Sequence, residues 1–248
     1  MKKYFALMLA AVLTFSIAGC GDSDKQSGSS EGSQSQESDE KSEGVMTHAE
    51  YVAAEDDAPV VIETYVQDKQ SWWQDKATIY TQDRDGGYFI YEMTCSEEDY
   101  AKLTPGTKIR VTGYRTTWEG EIEVASGATF EILEGNYVAE AKDVTDLLGT
   151  EDLIGHQNEF VSFKGMTVED YGNGAAFAYK DEDGSDIYFK VSLNGETYEF
   201  TVESYLRGAG TEVYEAVKKL NVGDVVDMEG FLYWYKGVNP HITSVTVK

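Results

Sequence analysis

The sequence has few histidines and few arginines, and both shortages exclude kinds of catalysis. The three histidines, His48, His156 and His241, lie far apart and lack the spacing of a metal-binding or catalytic motif. There is no nucleophile elbow, no P-loop, no dinucleotide fingerprint and no His-Glu-x-x-His sequence. The four arginines form no cluster with carboxylates of the kind that phosphodiester cleavage requires. The sequence therefore predicts a protein with no catalytic residues, no cofactor and no metal.

Positive charge is also scarce, since 20 lysines and arginines stand against 45 aspartates and glutamates, for a net charge of −25. A field of this sign repels nucleic-acid phosphates and anionic lipid head groups. We therefore expect a neutral or cationic partner, such as a glycan, a peptide or another protein, and we expect nucleic acid to be disfavoured. The sequence gives no indication of the oligomeric state.

Long apolar stretches are absent except near the N-terminus. Lys2 and Lys3 precede an apolar stretch over residues 4–17, and small residues then lead to Cys20. The stretch is shorter than the ~20 residues that a membrane-spanning helix needs. The layout is typical of a secretory signal. An ordinary signal peptide and a membrane helix are the alternatives.

The segment that ends in Ala18, Gly19 and Cys20 resembles the lipobox of bacterial lipoproteins. The resemblance implies that residues 1–19 are removed as a signal peptide. It also implies that Cys20 becomes a diacylglyceryl cysteine carrying a further fatty acid such as palmitate. The mature protein is then extracytoplasmic and anchored to the cell membrane. Residues 20–45 are rich in serine, glycine and acidic residues, which predicts a disordered tether.

The second cysteine, Cys95, has no disulfide partner if Cys20 is acylated. Alternation along the chain places Cys95 on one strand face with Phe89, Tyr91 and Met93. This pattern predicts a buried, inert thiol.

The chain repeats itself once. Residues 103–113 and 220–230 share a leucine, two glycines and two apolar strand positions at an offset of 117 residues (103 to 220). Such self-similarity indicates two copies of one domain. We predict the first copy at residues 46–135 and the second at residues 136–248.

Each copy consists mostly of predicted strands. In the first copy a helix over residues 96–103 lies between the third and fourth of five strands, at residues 60–66, 77–82, 88–94, 108–114 and 120–124, and a closing strand follows at 129–133. Ser96 is the expected N-cap of this helix, and Thr47 with Glu50 has the spacing of a capping box before the first strand. In the second copy the Asp-Gly turn at Gly184 aligns with the first copy's hairpin turn. The second strand is then expected at residues 175–180 and the third at 186–193. The 19 extra residues of this copy contain an Asn-Gly turn at 194–195 and a helix over 211–220.

Five strands with a helix between the third and the fourth are the order of the OB-fold. The repeated Leu-x-x-Gly sequence resembles the OB-fold segment that leaves the helix and enters strand four. The chain thus resembles tandem OB-fold lipoproteins of Gram-positive bacteria. The resemblance implies a mainly β fold with two five-stranded Greek-key barrels in tandem.

Aromatic residues mark a candidate binding face. Trp72 and Trp73 lie between the first and second strands, and Trp118 lies between the fourth and fifth. These loops flank the usual binding face of an OB-fold. Further rings on or near this face belong to Tyr80, Tyr88, Tyr114, Tyr233, Trp234 and Tyr235. The alternative is that such rings belong to the core or to cross-strand pairs.

We expect a cell-surface binding or interaction module that holds a glycan, a peptide or a protein and performs no catalysis. Two alternatives remain open. OB-folds often bind single-stranded nucleic acid, so the first alternative is an extracytoplasmic single-stranded nucleic-acid-binding protein. Such a protein needs a local stripe of basic residues on its surface. A hydrolase would need a working carboxylate pair, and Glu119 with Glu121 is one of many acidic pairs in the chain.

Overall fold

The structure, a computed structural model, describes residues 41–248. The predicted signal peptide, the modification of Cys20 and residues 20–40 of the predicted tether lie outside the described residues. Within the described part, no helix is long and apolar enough to cross a membrane.

The first half of the described chain forms a closed barrel. Its elements are α1 (His48–Ala53), β1 (Pro59–Lys69), β2 (Lys76–Gln82), β3 (Gly87–Thr94), α2 (Glu97–Lys102), β4 (Thr107–Trp118), β5 (Glu121–Val124) and β6 (Thr129–Asn136). Neighbouring strands follow the order β1-β2-β3-β5-β4, and β4 pairs with β1 to close the ring. The additional strand β6 pairs with β4. The predicted five-stranded barrel, with a helix between its third and fourth strands, is confirmed.

The second half forms another closed barrel. Its elements are β7 (Lys142–Asp143), two 3₁₀ helices (Thr145–Leu147 and Glu151–His156), β8 (Phe160–Val168), β9 (Phe177–Tyr179), β10 (Ile187–Leu193), β11 (Glu196–Val202), α3 (Glu212–Val217), β12 (Val225–Phe231) and β13 (His241–Val247). The ring order is β8-β12-β13-β11-β10, and β10 pairs with β8. The helix α3 again separates the third and fourth strands of the ring. Both barrels belong to one compact unit.

The alignment of the two copies around their hairpins differs from the sequence expectation. The Asn-Gly turn at Asn194 and Gly195, expected in an insertion, joins β10 and β11, which are the second and third strands of the barrel. Both residues have positive φ angles, 53° and 90°, as a type I′ turn requires. The Asp-Gly turn at Gly184 instead connects β10 with the short edge strand β9. The strand at residues 187–193 is therefore the second strand of the barrel and not the third.

Helix starts follow the capping signals of the sequence. The Ser96 hydroxyl accepts a hydrogen bond from the backbone N–H of Asp99 at 3.1 Å, and α2 begins at the next residue. Thr47 and Glu50 form a reciprocal capping box at the start of α1. Because each cap satisfies backbone N–H groups that the helix leaves free, these short helices begin at defined residues.

Strand β3 contains a bulge that changes the face on which its side chains lie. The register of β2 and β3 shifts between Ala77 and Ile79, and Glu92 has a positive φ of 43°. Met93 and Cys95 consequently lie in the barrel core, whereas Tyr91 lies on the outside. The expectation that Cys95 shares a face with Tyr91 is wrong, but its expected burial is confirmed.

The two glycines of the repeat lie where chain segments approach closely. A Cβ atom at Gly230 would come within 2.3 Å of the carbonyl oxygen of His241, beside a bulge in the pairing of β12 with β13. A Cβ atom at Gly113 would come within 2.9 Å of Ala128 Cβ. Larger residues at either position would push the neighbouring segment away.

Residues 41–45, which the sequence analysis assigns to the tether, contact the first barrel. Lys41 Nζ donates hydrogen bonds to Oδ2 of Asp83 at 2.5 Å and to the carbonyl oxygen of Glu63 at 3.0 Å. Asp83 is fully buried, so Lys41 provides its charge partner. The folded region thus includes the end of the predicted tether.

Candidate ligand-binding cleft

The two barrels meet through a small aromatic core. Tyr80 and Phe89 project outward from β2 and β3, and Phe231 and Tyr233 project from the second barrel. The rings of Tyr80 and Phe231 stack with centroids 4.6 Å apart, and Phe89 meets Tyr233 edge to face at 5.2 Å. Leu206 completes the cluster. This core fixes the outer face of β3 against the second barrel.

Hydrogen bonds surround that core. Gln82 Oε1 accepts from the backbone N–H of Phe160 at 2.7 Å, and Asn158 Nδ2 donates to the carbonyl oxygen of Ile122 at 3.0 Å. The backbone N–H of Trp234 donates to Oε2 of Glu121 at 2.8 Å. The contact between the barrels is thus specified by polar groups as well as by apolar packing.

A cleft of about 970 Å³ runs along this contact and is lined by both barrels. Six of its aromatic side chains are Trp73, Tyr91, Trp118, Tyr188, Tyr205 and Tyr235. The exposed fractions of Trp73, Trp118 and Tyr205 are 65%, 51% and 67%, so these rings present broad faces to solvent. The ring of Trp118 lies 5.2 Å from that of Tyr235, which extends the aromatic surface from one barrel to the other.

Two of the three tryptophans predicted to bind a ligand lie in the cleft. Trp73 and Trp118 line it, and both are exposed. Trp72 does not line it, because its indole N–H donates to the carbonyl oxygen of Cys95 at 2.9 Å. Tyr114 is exposed but lies outside the cleft.

Tyr80 and Tyr88 are buried, contrary to the sequence expectation that they present rings to a ligand. Tyr80 belongs to the core between the barrels. The Tyr88 hydroxyl donates to Oδ2 of Asp83 at 2.8 Å, and its ring packs against Tyr51 at 5.1 Å. Burial raises the pKa values of both tyrosines well above the ordinary range, so both hydroxyls remain protonated. Neither ring has surface left for a ligand.

Tyr235, expected near the binding face, lines the cleft from a loop of the second barrel. Two other lining residues were not identified from the sequence as binding residues. Tyr91 lies on the outer face of β3, and Tyr205 lies in a loop of the second barrel. The sequence contains no signal that these loops face the first barrel.

The cleft is acidic. Among the described residues it is lined by two lysines and five carboxylate residues, Glu92, Glu123, Asp186, Glu199 and Glu203. Both lysines already have partners. Lys76 lies 2.7 Å from Glu92, and Lys180 lies 3.4 Å from Asp186.

Burial changes the protonation of three groups in the cleft. It raises the pKa values of Glu123 and Glu203 to about 7. The Glu203 carboxylate nevertheless accepts backbone hydrogen bonds from Tyr205 at 3.2 Å and Leu206 at 2.8 Å. Burial lowers the pKa of His241 to about 3, so the imidazole is neutral. The cleft therefore offers hydrogen-bond acceptors and negative charge, and its histidine adds no positive charge at neutral pH.

The described residues contain no group of three or more histidine, cysteine, aspartate or glutamate side chains that could hold a metal ion. Glu119 and Glu121, the acidic pair of the hydrolase alternative, are separated by the structure. Glu121 is fully buried beneath the second barrel, whereas Glu119 is exposed. These two carboxyls do not share an open site.

No protein-family model matches the chain, and no curated protein matches it. Among solved structures, it is similar to the HINb domain of p204, with 12% identity, a TM-score of 0.34, and coverage of 78% of this chain and 98% of that one. It is similar to a murine DNA-binding protein bound with double-stranded DNA, with 13% identity, a TM-score of 0.36, and coverage of 77% and 96%. A deletion mutant of the single-stranded DNA-binding protein from Thermus aquaticus is 13% identical, with a TM-score of 0.28 and coverage of 77% and 93%.

Proposed function

We propose that this protein is a non-catalytic binding module that holds a saccharide in the cleft between its two barrels. The observation that carries the proposal is the convergence of Trp73, Trp118 and Tyr205 on one cleft with half or more of each side chain exposed. Exposed aromatic rings gathered in a concave site cost solvation free energy unless they serve a partner. The barrels themselves do not need these rings for their cores.

Aromatic faces and carboxylates together suit a sugar. The apolar faces of pyranose rings pack on tryptophan and tyrosine, while the hydroxyl groups donate hydrogen bonds to acceptors such as Glu203. A volume of about 970 Å³ accommodates several linked sugars. A peptide would also find hydrogen-bond acceptors here.

The charge of the cleft favours saccharide binding over nucleic-acid binding. Two of the structural neighbours are named as DNA-binding proteins. A strand of nucleic acid needs lysines or arginines that track its phosphates. The two lysines that line the cleft, Lys76 and Lys180, are paired with carboxylates, and the remaining carboxylates repel phosphate. Oligonucleotide binding is therefore the alternative that the same experiment examines.

The test is isothermal titration with neutral oligosaccharides, including the N-acetylglucosamine tetramer and cellotetraose, and with a single-stranded oligonucleotide at two salt concentrations. We expect binding to at least one oligosaccharide and at least a tenfold loss in Trp73→Ala and Trp118→Ala. Tyr114→Ala is the matched control, because it removes an exposed ring outside the cleft.

Two results would overturn the proposal. One is saccharide binding that both tryptophan variants retain in full. The other is salt-dependent oligonucleotide binding without any saccharide binding. Chromatography of the oligosaccharides after prolonged incubation examines the absence of catalysis, since accumulation of shorter products shows turnover.

We further propose that the module acts outside the cytoplasm, anchored by a lipid on Cys20. The support is the sequence of residues 1–20. Replacement of Cys20 by Ala should move the protein from the membrane fraction to the medium. Retention of the Cys20→Ala variant in the membrane fraction would contradict the anchor and leave the cleft proposal untouched.

A further inference from the structure

Glu123 occupies an unusual position in the cleft. It lies on β5, paired with Phe89 of β3 on one side and Thr116 of β4 on the other. Along β5, Val124 faces the barrel core, whereas Glu121 and Glu123 face outward toward the second barrel. Only 7% of Glu123 is exposed, and that part lines the cleft.

The Glu123 carboxyl has no hydrogen bond and no ion pair with any residue in the described range 41–248. Its surroundings are the rings of Phe89, Tyr91 and Tyr233, which also line the cleft. The other carboxylates of the cleft differ in this respect. Glu203 accepts two backbone N–H groups, and Glu92 contacts a lysine.

An unpaired carboxyl that is nine-tenths buried is unfavourable when ionised. The raised pKa of Glu123, about 7, reflects this cost. A ligand with a positive charge would form an ion pair with the Glu123 carboxylate. This pair would stabilise the ionised carboxylate, which has no cationic partner among the described residues. Aromatic faces beside the carboxyl would add cation–π attraction. A neutral hydroxyl would satisfy one hydrogen bond but would leave the charge uncompensated.

We propose that Glu123 forms a cation subsite, so that the preferred ligand of the cleft is an oligosaccharide with a primary ammonium group. This inference rests on the proposed function, because it specifies the class of saccharide that the cleft takes. In the complex the ammonium donates hydrogen bonds to the Glu123 carboxylate while the sugar faces pack on Trp73 and Trp118.

The experiment compares two ligands of equal length, the glucosamine tetramer and the N-acetylglucosamine tetramer, which differ in the charge of the amino group. We expect the wild-type protein at pH 7.5 to bind the amine at least tenfold more tightly. Glu123→Gln, which keeps the shape and removes the charge, should abolish this preference and leave binding of the acetylated tetramer within twofold.

Glu199→Gln is the matched control, because it removes the same charge from the opposite side of the cleft. Glu199 already accepts a hydrogen bond from Tyr171. In Glu199→Gln the preference for the amine should decrease only slightly, because the variant lowers the overall negative charge of the cleft and leaves Glu123 in place. Unchanged thermal unfolding of both variants confirms that they fold.

The pH dependence provides a second readout. The titratable groups that interact with Glu123 are Tyr51, Tyr91, Tyr233 and Glu121, and burial raises the pKa of each. The three tyrosines keep their protons between pH 5.5 and 7.5, and burial favours the protonated form of Glu121. In the same cleft, burial raises the pKa of Glu203 to about 7, as it does for Glu123. As pH decreases from 7.5 to 5.5, Glu123 and Glu203 both lose charge while the sugar amines gain protons. The readout is therefore the preference of the wild type divided by that of Glu123→Gln, and this ratio should fall toward one as pH decreases.

The outcomes separate the two proposals. Equal affinity for both tetramers, or a preference that Glu123→Gln retains, overturns the cation subsite and leaves saccharide binding in place. Failure of both tetramers and of every other saccharide to bind overturns the proposed function itself.

Discussion

The hydroxyl oxygen of Tyr80 lies 2.6 Å from Nδ1 of His241, and this buried hydrogen bond joins the two barrels. Gln70 Nε2 donates to the same hydroxyl at 3.3 Å, so the tyrosine proton points to the imidazole. Since burial lowers the pKa of His241 to about 3, Nδ1 accepts as a neutral nitrogen. The strands β2 and β13 are thus linked by one polar contact within the aromatic core.

We predict that Tyr80→Phe destabilises the protein by roughly 1–3 kcal/mol, because the buried Nδ1 of His241 loses its donor. The measurement is urea unfolding at pH 7. Tyr114→Phe makes the same chemical change at an exposed position and should alter stability by no more than about 0.5 kcal/mol. Equal effects of the two substitutions would show that the bond between the barrels adds nothing.

Gly87 lies where the first barrel packs closely against the backbone of the second. A Cβ atom there would lie 2.1 Å from the backbone carbonyl carbon of Asn158 in the second barrel. The obstacle is backbone on a neighbouring barrel, so Gly87→Ala should force the two apart and cost roughly 1–3 kcal/mol in thermal unfolding. Gly155→Ala is the control, since nothing lies within 4 Å of its added Cβ. A Gly87→Ala protein as stable as this control would contradict the packing.

Local chemistry in the sequence was sufficient for much of the fold. The cap at Ser96, the alternation of the first-copy strands and the repeated Leu-x-x-Gly sequence each depend on residues close together in the chain. They led to closed five-stranded barrels with a helix after the third strand. The turns of the second copy were harder, because Asp-Gly and Asn-Gly both predict hairpins and nothing local shows that β9 is only three residues long.

The cleft was only partly predictable, because it forms between surfaces that are distant in the sequence. Trp73 and Trp118 were found from their loops. Tyr80 has the same outward pattern as a ligand-binding ring, and only its contact with Phe231 shows that it is interface core. Tyr88 is different, since it shares a strand face with the core residue Ile90, and that alternation was visible in the sequence.

Glu121 should make stability depend on pH. Burial raises its pKa well above the usual range, and Oε1 of Glu121 and Oδ1 of its neighbour Asn158 both lack a partner among the described residues. A proton on Glu121 removes the negative charge that burial leaves without a cationic partner among the described residues. A raised pKa in the folded state means that this stabilisation is complete below about pH 4.5 and is lost as pH rises through the folded-state value.

We therefore predict that Glu121→Gln unfolds at a higher temperature than the wild type at pH 8, and that the gain disappears at pH 4.5. The amide keeps the acceptor for Trp234 N–H and places no charge in the buried site. Glu98→Gln, at an exposed position on α2, should show no such pH-dependent difference. A Glu121→Gln protein that is less stable than the wild type at pH 8 would show that the buried carboxyl is held ionised.

Cys95 should be chemically inert in the folded protein. Its thiol is buried in the first barrel, burial raises its pKa to about 11, and Sγ lies 3.4 Å from the carbonyl oxygen of Ser96. Thiolate, the reactive form, is thus scarce and shielded from solvent.

The measurement uses a Cys20→Ala background, in which Cys95 is the one thiol. Its reaction with an aromatic disulfide at pH 8 should be at least about 100-fold slower before unfolding than after it. Adding Ser126→Cys at an exposed loop provides a fast-reacting reference in the folded state. Rapid labelling of Cys95 in the folded protein would mean that the bulged end of β3 opens readily, and the bond from the Cys95 backbone N–H to the carbonyl oxygen of Asp75, at 2.8 Å, would then be the contact that fails.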